Sequence, residues 1–342
     1  MNLASNLSLK ARSIFKNTVV RPCIKILPIF NEQSVILMLH RVGDRHPNRI
    51  NANQDMVISP NELNSFILDC TREGWTFVSL EQLFFEINSK KKLKKIIALT
   101  FDDGYLDNLR AAYPVLANKR VPFAVYITTG FIESDVVPWW YQLESVIEWC
   151  SKMLTPDGEF YQAEGLADKN HVFLTIRKKI MSSFDCYHKY LNWIDLEYKK
   201  IDCKKHKMFL SWDEVRELSE SEIVTIGAHT HTHPVLSNLS LDDAFKEIQK
   251  SKEILEYQTG KKINHLAYPY GGFFEASDRE QGIARRIGFD TAVTTRFGAV
   301  NNQYAKNIFG LPRVFYSPGL SLQKLQKSLQ ADTLRRTVKK VL

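Results

Sequence analysis

Short runs of β-branched and aromatic residues recur along this chain with helix-like segments between them, and that alternation implies a parallel sheet. Seven runs have strand character: residues 35–39, 96–101, 123–128, 223–228, 265–268, 291–294 and 311–315. Parallel neighbours need a crossover of a dozen or more residues, usually a helix. Ser59-Pro60 with Glu62 opens one such segment, whose Leu63, Phe66, Ile67 and Cys70 fall at helical spacing before Gly74. Ser240 with Asp243 opens another, running through Ile248 and Leu255 toward Gly260. Trp212, Val215 and Leu218 form a shorter stripe. Seven strands of this kind suit either a barrel or an open doubly wound sheet.

One interval breaks the rhythm. About 90 residues separate the third and fourth runs, where an ordinary βα loop has 2–6. They are rich in aromatics, Trp139, Trp140, Tyr141, Trp149, Tyr187, Tyr190 and Trp193 among them, and read as an inserted helical subdomain or lid over about 131–210.

With 342 residues, 44% hydrophobic and 25% charged, the chain can bury a sizeable core. Its formal charge of +8 is unevenly placed. Residues 1–30 hold five basic side chains and no acid, and residues 320–342 hold six against Asp332. Each end therefore carries +5, which leaves −2 for the body and argues against a nucleic-acid enzyme built around a basic groove. Leu3, Leu7, Ala11 and Ile14 in the first end are spaced as on one helix face. So are Leu322, Leu325 and Leu329, then Leu334, Val338 and Val341, in the last. Such basic amphipathic ends suit peripheral association with an anionic membrane surface, or packing against the body with the charges solvated. The apolar residues near the N-terminus are interrupted by Lys or Arg every few positions, so no secretory h-region is legible, and no stretch could be a spanning helix. The five cysteines are widely spaced, with no C-x-x-C, and read as reduced thiols. A cytoplasmic protein, at most peripheral at the inner membrane face, is the expectation.

Two constellations carry chemistry. Thr100-Phe101-Asp102-Asp103-Gly104 ends the second run, which puts both carboxylates at the carboxyl end of a strand, where α/β folds collect their active sites. One acid can ligate a cation while its neighbour stays free to take a proton; alone, the motif reads equally as an ordinary turn. His229-Thr230-His231-Thr232-His233-Pro234 ends the fourth run, and two histidines at i and i+4 could share a metal. With nine histidines in the chain, roughly 0.24 such pairs arise by chance, so the spacing gains weight only beside the carboxylates. Two imidazoles and one carboxylate leave coordination positions open, as catalytic metals require. The first run ends in His40-Arg41, and the run through Ala267 enters Tyr268-Pro269-Tyr270-Gly271-Gly272, whose backbone N–H groups could face an oxyanion.

At these residues the sequence resembles the polysaccharide deacetylases, the NodB-homology or carbohydrate esterase family four. T-F-D-D-G at 100–104 and H-[ST]-x-x-H at 229–233 match that family's first two motifs in order. M-L-H-R-V at 38–42, W-D-E-V-R-E-L at 212–218 and L-P-R at 311–313 resemble the branch that includes poly-N-acetylglucosamine deacetylases. The resemblance implies an α/β fold, a distorted (β/α)7 barrel with a helical insertion. The barrel would span 31–319 with its core motifs from about 94, between a basic N-terminal extension (1–30) and a basic C-terminal helix (320–342). It implies Asp103, His229 and His233 as ligands of one divalent metal ion, zinc first, with nickel, cobalt or iron as alternatives. Asp102 would be the general base, His40 the catalytic acid, and Tyr270 the donor of an oxyanion-binding N–H. Where many members carry an Arg two residues before the P-Y pair this chain has Ala267, so Arg313 or Arg41 is expected to steady the base.

The implied activity is hydrolytic removal of an acetyl group from an N-acetylated glycan or glycan precursor in cell-surface glycan biosynthesis. An O-acetyl group, or a lipid- or nucleotide-linked sugar, is the enzymatic alternative, and a non-catalytic carbohydrate-binding protein the third. Tyr105, Trp139, Trp140 and Tyr270 are candidate substrate contacts, since aromatic faces suit sugar rings; for the tryptophans a core role competes equally.

Overall fold

The computed structural model describes residues 34–89, 93, 95–134, 137–201 and 207–341, and of 336–341 the backbone alone. The N-terminal extension, with its amphipathic stripe and Cys23, lies outside the described residues, as does Cys203. Among the described residues twelve strands follow in order: β1 (Ser34–Leu39), β2 (Arg41–Val42), β3 (Val57–Ile58), β4 (Thr76–Phe77), β5 (Ile96–Phe101), β6 (Phe123–Ile127), β7 (Lys152–Leu154), β8 (Phe160–Gln162), β9 (Val224–Ala228), β10 (His265–Ala267), β11 (Thr291–Val293) and β12 (Val314–Phe315).

The seven expected strands are all present, and they form one parallel sheet in the order β11-β10-β9-β6-β5-β1-β12. β4 adds itself beside the first residues of β5, ahead of the stretch that pairs β6. The two ends of the sheet meet: Leu311 bridges Val293, Leu311 N–H donates to the Ala292 carbonyl, and Arg313 N–H to that of Arg296. The architecture is the distorted (β/α)7 barrel.

Strand parity decides which side chains face inward, because successive residues point to opposite faces. Val35, Leu37 and Leu39 of β1, Ile97, Leu99 and Phe101 of β5, and Phe123, Val125 and Ile127 of β6 join the layer under the helices. Ile36, Ala98, Ala124, Tyr126, Ala267, Val293 and Leu311 fill the interior. His40, Thr100 and Asp102 share the interior parity, so the alternation that builds the core also delivers them to one end of it. Gly227 makes room inside: a Cβ there would stand 2.4 Å from the Tyr126 ring and 3.1 Å from the His265 carbonyl oxygen.

The helices begin where the sequence places them. Pro60–Arg72 starts at Ser59 with a capping box to Glu62, and Leu241–Thr259 is capped by Ser240 and ends at Gly260 in the left-handed region. The aromatic interval holds helices Trp139–Trp149, Leu166–Ile180 and Phe184–Tyr198 together with an antiparallel hairpin of β7 and β8, which the sequence reading did not foresee. It has its own apolar cluster, with Leu143, Ile147, Phe173, Ile176 and Tyr190 fully buried. At the other end, Leu322, Leu325 and Leu329 of the helix Leu322–Val341 are buried in the main core, so that apolar stripe packs on the barrel and not on a lipid surface. Among the described residues no helix is long and apolar enough to cross a membrane. Cys70, Cys150 and Cys186 are free thiols.

Candidate active site

Strand β5 runs straight into Asp102, whose N–H donates to the Leu39 carbonyl oxygen, keeping the register that sets it beside His40. In a continued strand Asp103 would point away from the interior. Its backbone instead turns left-handed, with φ of 75°, followed by Gly104 at 80°, and both carboxylates end up buried at the same end of the barrel.

Arg313 reaches Asp102 from the position just before β12, where the barrel closes. The guanidinium makes two parallel 2.7 Å bonds to the two carboxylate oxygens, and spends its remaining donors on Thr100 Oγ1 (3.1 Å) and the Thr294 carbonyl (2.9 Å). Arg313 is 1% exposed. Burial alone would raise the Asp102 carboxyl, but the charge of Arg313, aided by His229, outweighs it and holds the group below its usual range. Of the two arginines considered, geometry selects this one: Arg41 pairs with Asp107 at 2.8 Å and lies over the Tyr105 ring.

The histidine loop leaves β9 beside the carboxylates. His229 Nδ1 lies 2.7 Å from the Ala267 carbonyl, which fixes the tautomer and turns Nε2 toward Asp103. Thr230 has φ of 64° and its Oγ1 accepts from the His233 N–H; His233 has φ of 60°, outside the right-handed helical region as the following proline requires. Both Nε2 atoms stand 3.4 Å from Asp103 Oδ1. That oxygen is buried without a hydrogen bond, and ligand atoms from all three residues lie within 4.8 Å of one another. Donors 2.0–2.2 Å from one tetrahedral ion stand about 3.3–3.6 Å apart, so these residues fit a divalent metal. Burial pulls His233 down to about 4, leaving it neutral as a ligand must be, whereas His229 is raised because Asp103 and Asp102 outweigh its burial.

His40 is half-buried, its ring edge-on to Phe315 at 6.0 Å and its Nδ1 without a partner. Burial lowers it below the ordinary imidazole range, with the charges of Asp103 and Asp102 opposing. Tyr270 sits at φ of 60° in the turn after β10, its ring 5.0 Å from that of His233 and its hydroxyl accepting from Trp139 Nε1 at 3.0 Å. His231 points away, to Thr129 Oγ1 and Lys250 Nζ.

The expected sugar contacts divide. Tyr105 is 0% exposed, stacked on Phe209 with Arg41 beyond, so it offers no face to a sugar. Trp139 and Trp140 are each 8% exposed and belong to the apolar cluster of the insert. Trp140 packs at 5.2 Å on the His233 ring. For the two tryptophans the competing core role is what burial supports, and Tyr105 lies in the core as well, because a ring already covered cannot stack on a ligand. Sequence reasoning missed the Ala267 carbonyl and Thr230, whose parts in aiming the histidines leave no residue-type signature.

Solved structures share this fold. The deacetylase PplD of Streptococcus pyogenes, in complex with acetate, superposes with a TM-score of 0.58 at 21% identity, covering 87% of this chain and 98% of that one. IcaB of Ammonifex degensii gives 0.56 at 18% identity over 87% and 97%. Among curated proteins, YxkH of Bacillus subtilis, provisionally named a polysaccharide deacetylase, is 22% identical over 232 residues, 68% of this chain. The chain covers 55% of the length of that relative. The polysaccharide deacetylase family's sequence profile matches residues 89–292, more than half of the chain and a span that contains both the carboxylate strand and the histidine loop, and the chain belongs to that family.

Proposed function

We propose that this protein is a metal-dependent hydrolase that removes the acetyl group from an N-acetylated amino sugar of a polysaccharide or glycan precursor. The observation that carries the reading is the buried donor set Asp103, His229 and His233 next to a carboxylate, Asp102, that Arg313 keeps ionised. An amide is a poor electrophile, so hydrolysis needs a stronger nucleophile, a stabilised oxyanion and a protonated leaving group. A divalent ion held by Asp103, His229 and His233 supplies Lewis acidity toward the carbonyl and acidifies water.

The chain's own residues do the rest. Asp102 takes a proton from the attacking water as the new C–O bond forms and the carbonyl becomes an oxyanion. The Tyr270 N–H, aimed by the left-handed turn, donates to that oxyanion. On collapse the C–N bond breaks while His40 gives its proton to the departing nitrogen, releasing acetate and a free amine. The proton on Asp102 returns to His40 through solvent. Each acid or base group contributes about 10²- to 10⁴-fold.

The test is acetate release from N-acetylated glucosamine oligomers with and without a chelator. Release that stops with chelator and returns with divalent metal supports the reading. Chelator-resistant release, or binding of the oligomers with no release, overturns it.

A further inference from the structure

The segment after the carboxylate motif does not continue as an α-helix. Residues Asn108–Ala112 form a π-helical turn, with Asp107 at its head, before α-helix resumes at Tyr113. Such wide turns occur mostly as single insertions and often at functional sites. Here the side chains at the head of the turn and at its first position both grip the strand end that carries His40. Asn108 Nδ2 donates to the His40 carbonyl oxygen at 2.8 Å. Asp107 Oδ1 accepts from the Val42 N–H at 3.1 Å, and its Oδ2 from Arg41 Nε at 2.8 Å. Asn108 Nδ2 also lies 3.3 Å from Asp107 Oδ1. Both neighbours of that amide nitrogen are acceptors, so the orientation of the amide is determined and not arbitrary.

We infer that Asp107 and Asn108 are positioning residues for His40, clamping the segment from its carbonyl to the Val42 N–H so that its imidazole meets the leaving group. This rests on the proposed hydrolase reading. Three features favour a dedicated clamp over ordinary packing. The bonds bracket residues 40, 41 and 42 consecutively. Asn108 is fully buried, yet its Oδ1 has no partner, so the amide is present for its donor alone. The His40 ring itself is held by no hydrogen bond at Nδ1, which leaves its backbone as the means of aiming it. Arg41, bonded to Asp107 and lying over the rings of Tyr105 and Tyr141, completes the brace on the side of the insert.

The test separates leaving-group protonation from everything else at the site. Asn108→Asp keeps the shape and replaces the donor with an acceptor; Asn108→Ala and Asp107→Ala are the second and third variants, and His40→Ala the reference. Each is assayed on an N-acetylated glucosamine oligomer, whose amine must be protonated to leave, and on an aryl acetate, whose phenolate need not be. Hydrogen exchange is followed in the peptide covering residues 38–44. The expected result is faster exchange in that peptide, a fall of about 10²-fold in amide turnover, and an amide-to-ester rate ratio lowered at least about tenfold, as in His40→Ala. Unchanged exchange overturns the clamp whether or not the enzyme is active. Faster exchange with both substrates slowed in parallel overturns the link to His40. If the unaltered protein releases no acetate from either substrate, the hydrolase reading falls, and the exchange result alone decides the clamp.

Discussion

Removing Arg313 tests the site at its most demanding point. The guanidinium makes four hydrogen bonds, two of them charge-assisted to Asp102, and is 1% exposed. Arg313→Ala leaves Asp102, 2% exposed, with no counter-charge from that side. Breaking one partner out of a buried ion pair costs about 3–5 kcal/mol, against a total stability of about 5–15 kcal/mol for a typical domain. The two charge-assisted bonds, at about 1.5–3 kcal/mol each, give the same range. The expected loss is therefore about 3–5 kcal/mol, read by urea denaturation. Much of it comes from the stranded carboxylate, so Arg313→Ala combined with Asp102→Ala should lose at least about 1 kcal/mol less than the sum of the two single variants. Arg313→Lys keeps the charge without the fork, and is expected between the unaltered protein and Arg313→Ala in both stability and turnover. A loss below about 1 kcal/mol for Arg313→Ala, or strict additivity in the double variant, would refute the claim that this buried pair anchors Asp102.

Asp102→Asn should cut acetate release by about 10²- to 10⁴-fold while bound metal, measured by mass spectrometry, stays near stoichiometric; loss of metal would make Asp102 a ligand instead. His229→Ala and His233→Ala should each lose the metal, since both Nε2 atoms face Asp103 Oδ1 at 3.4 Å. Gly227→Ala forces a Cβ to within 2.4 Å of the Tyr126 ring, and is expected to destabilise by about 1–3 kcal/mol in thermal unfolding. Glu214 bears the charge of its burial, but Lys207, the Ser211 N–H and Arg110 outweigh that and bring it down from 4.5 to about 2. A depressed folded value means its contribution is fully present above about 4.5 and is lost as pH falls toward 2. Glu214→Gln should accordingly flatten the dependence of unfolding temperature on pH in that window.

What could be read from the sequence was whatever period and punctuation encode. Six of the seven barrel strands are visible as apolar runs of a strand's length and the two-residue β12 only as the end of the longer run 311–315, while the helices at Ser59 and Ser240 are visible because their caps are local. The two-residue strands β2, β3 and β4 are too short to carry a period, and their pairing is decided by partners far along the chain. The hairpin in the insert was hidden for a related reason: Leu154 and Phe160, cross-strand partners, are both exposed, so no alternation marks them. Arg313 became a candidate through an absence, the alanine at 267, and which of two arginines reaches Asp102 is settled by where the barrel closes. The aromatic residues at 139 and 140 illustrate the opposite limit. Composition marks them as useful to a sugar or to a core with equal force, and only burial separates the two.

The backbone itself carries a further trace of function. Six non-glycine residues among those described have positive φ: Lys95, Asp103, Arg120, Thr230, His233 and Tyr270. Lys95 and Arg120 stand in the turns just before β5 and β6, where a tight entry into a strand accounts for them. The other four all belong to the site, and Thr230, branched at Cβ, is the least suited of all to that conformation. Each such residue costs about 1–3 kcal/mol and persists only where its surroundings over-determine it. The surroundings here do so visibly: Thr230 Oγ1 accepts from His233 N–H, His229 is anchored on Ala267, and the Tyr270 carbonyl accepts from Thr295 Oγ1. A chain selected for stability alone would relax these turns with glycine, as it does at 104 and 271 immediately after two of them. Keeping an aspartate and a histidine in two of the strained positions brings Asp103 Oδ1 to 3.4 Å from both imidazole Nε2 atoms, a donor set that glycine in those turns could not supply.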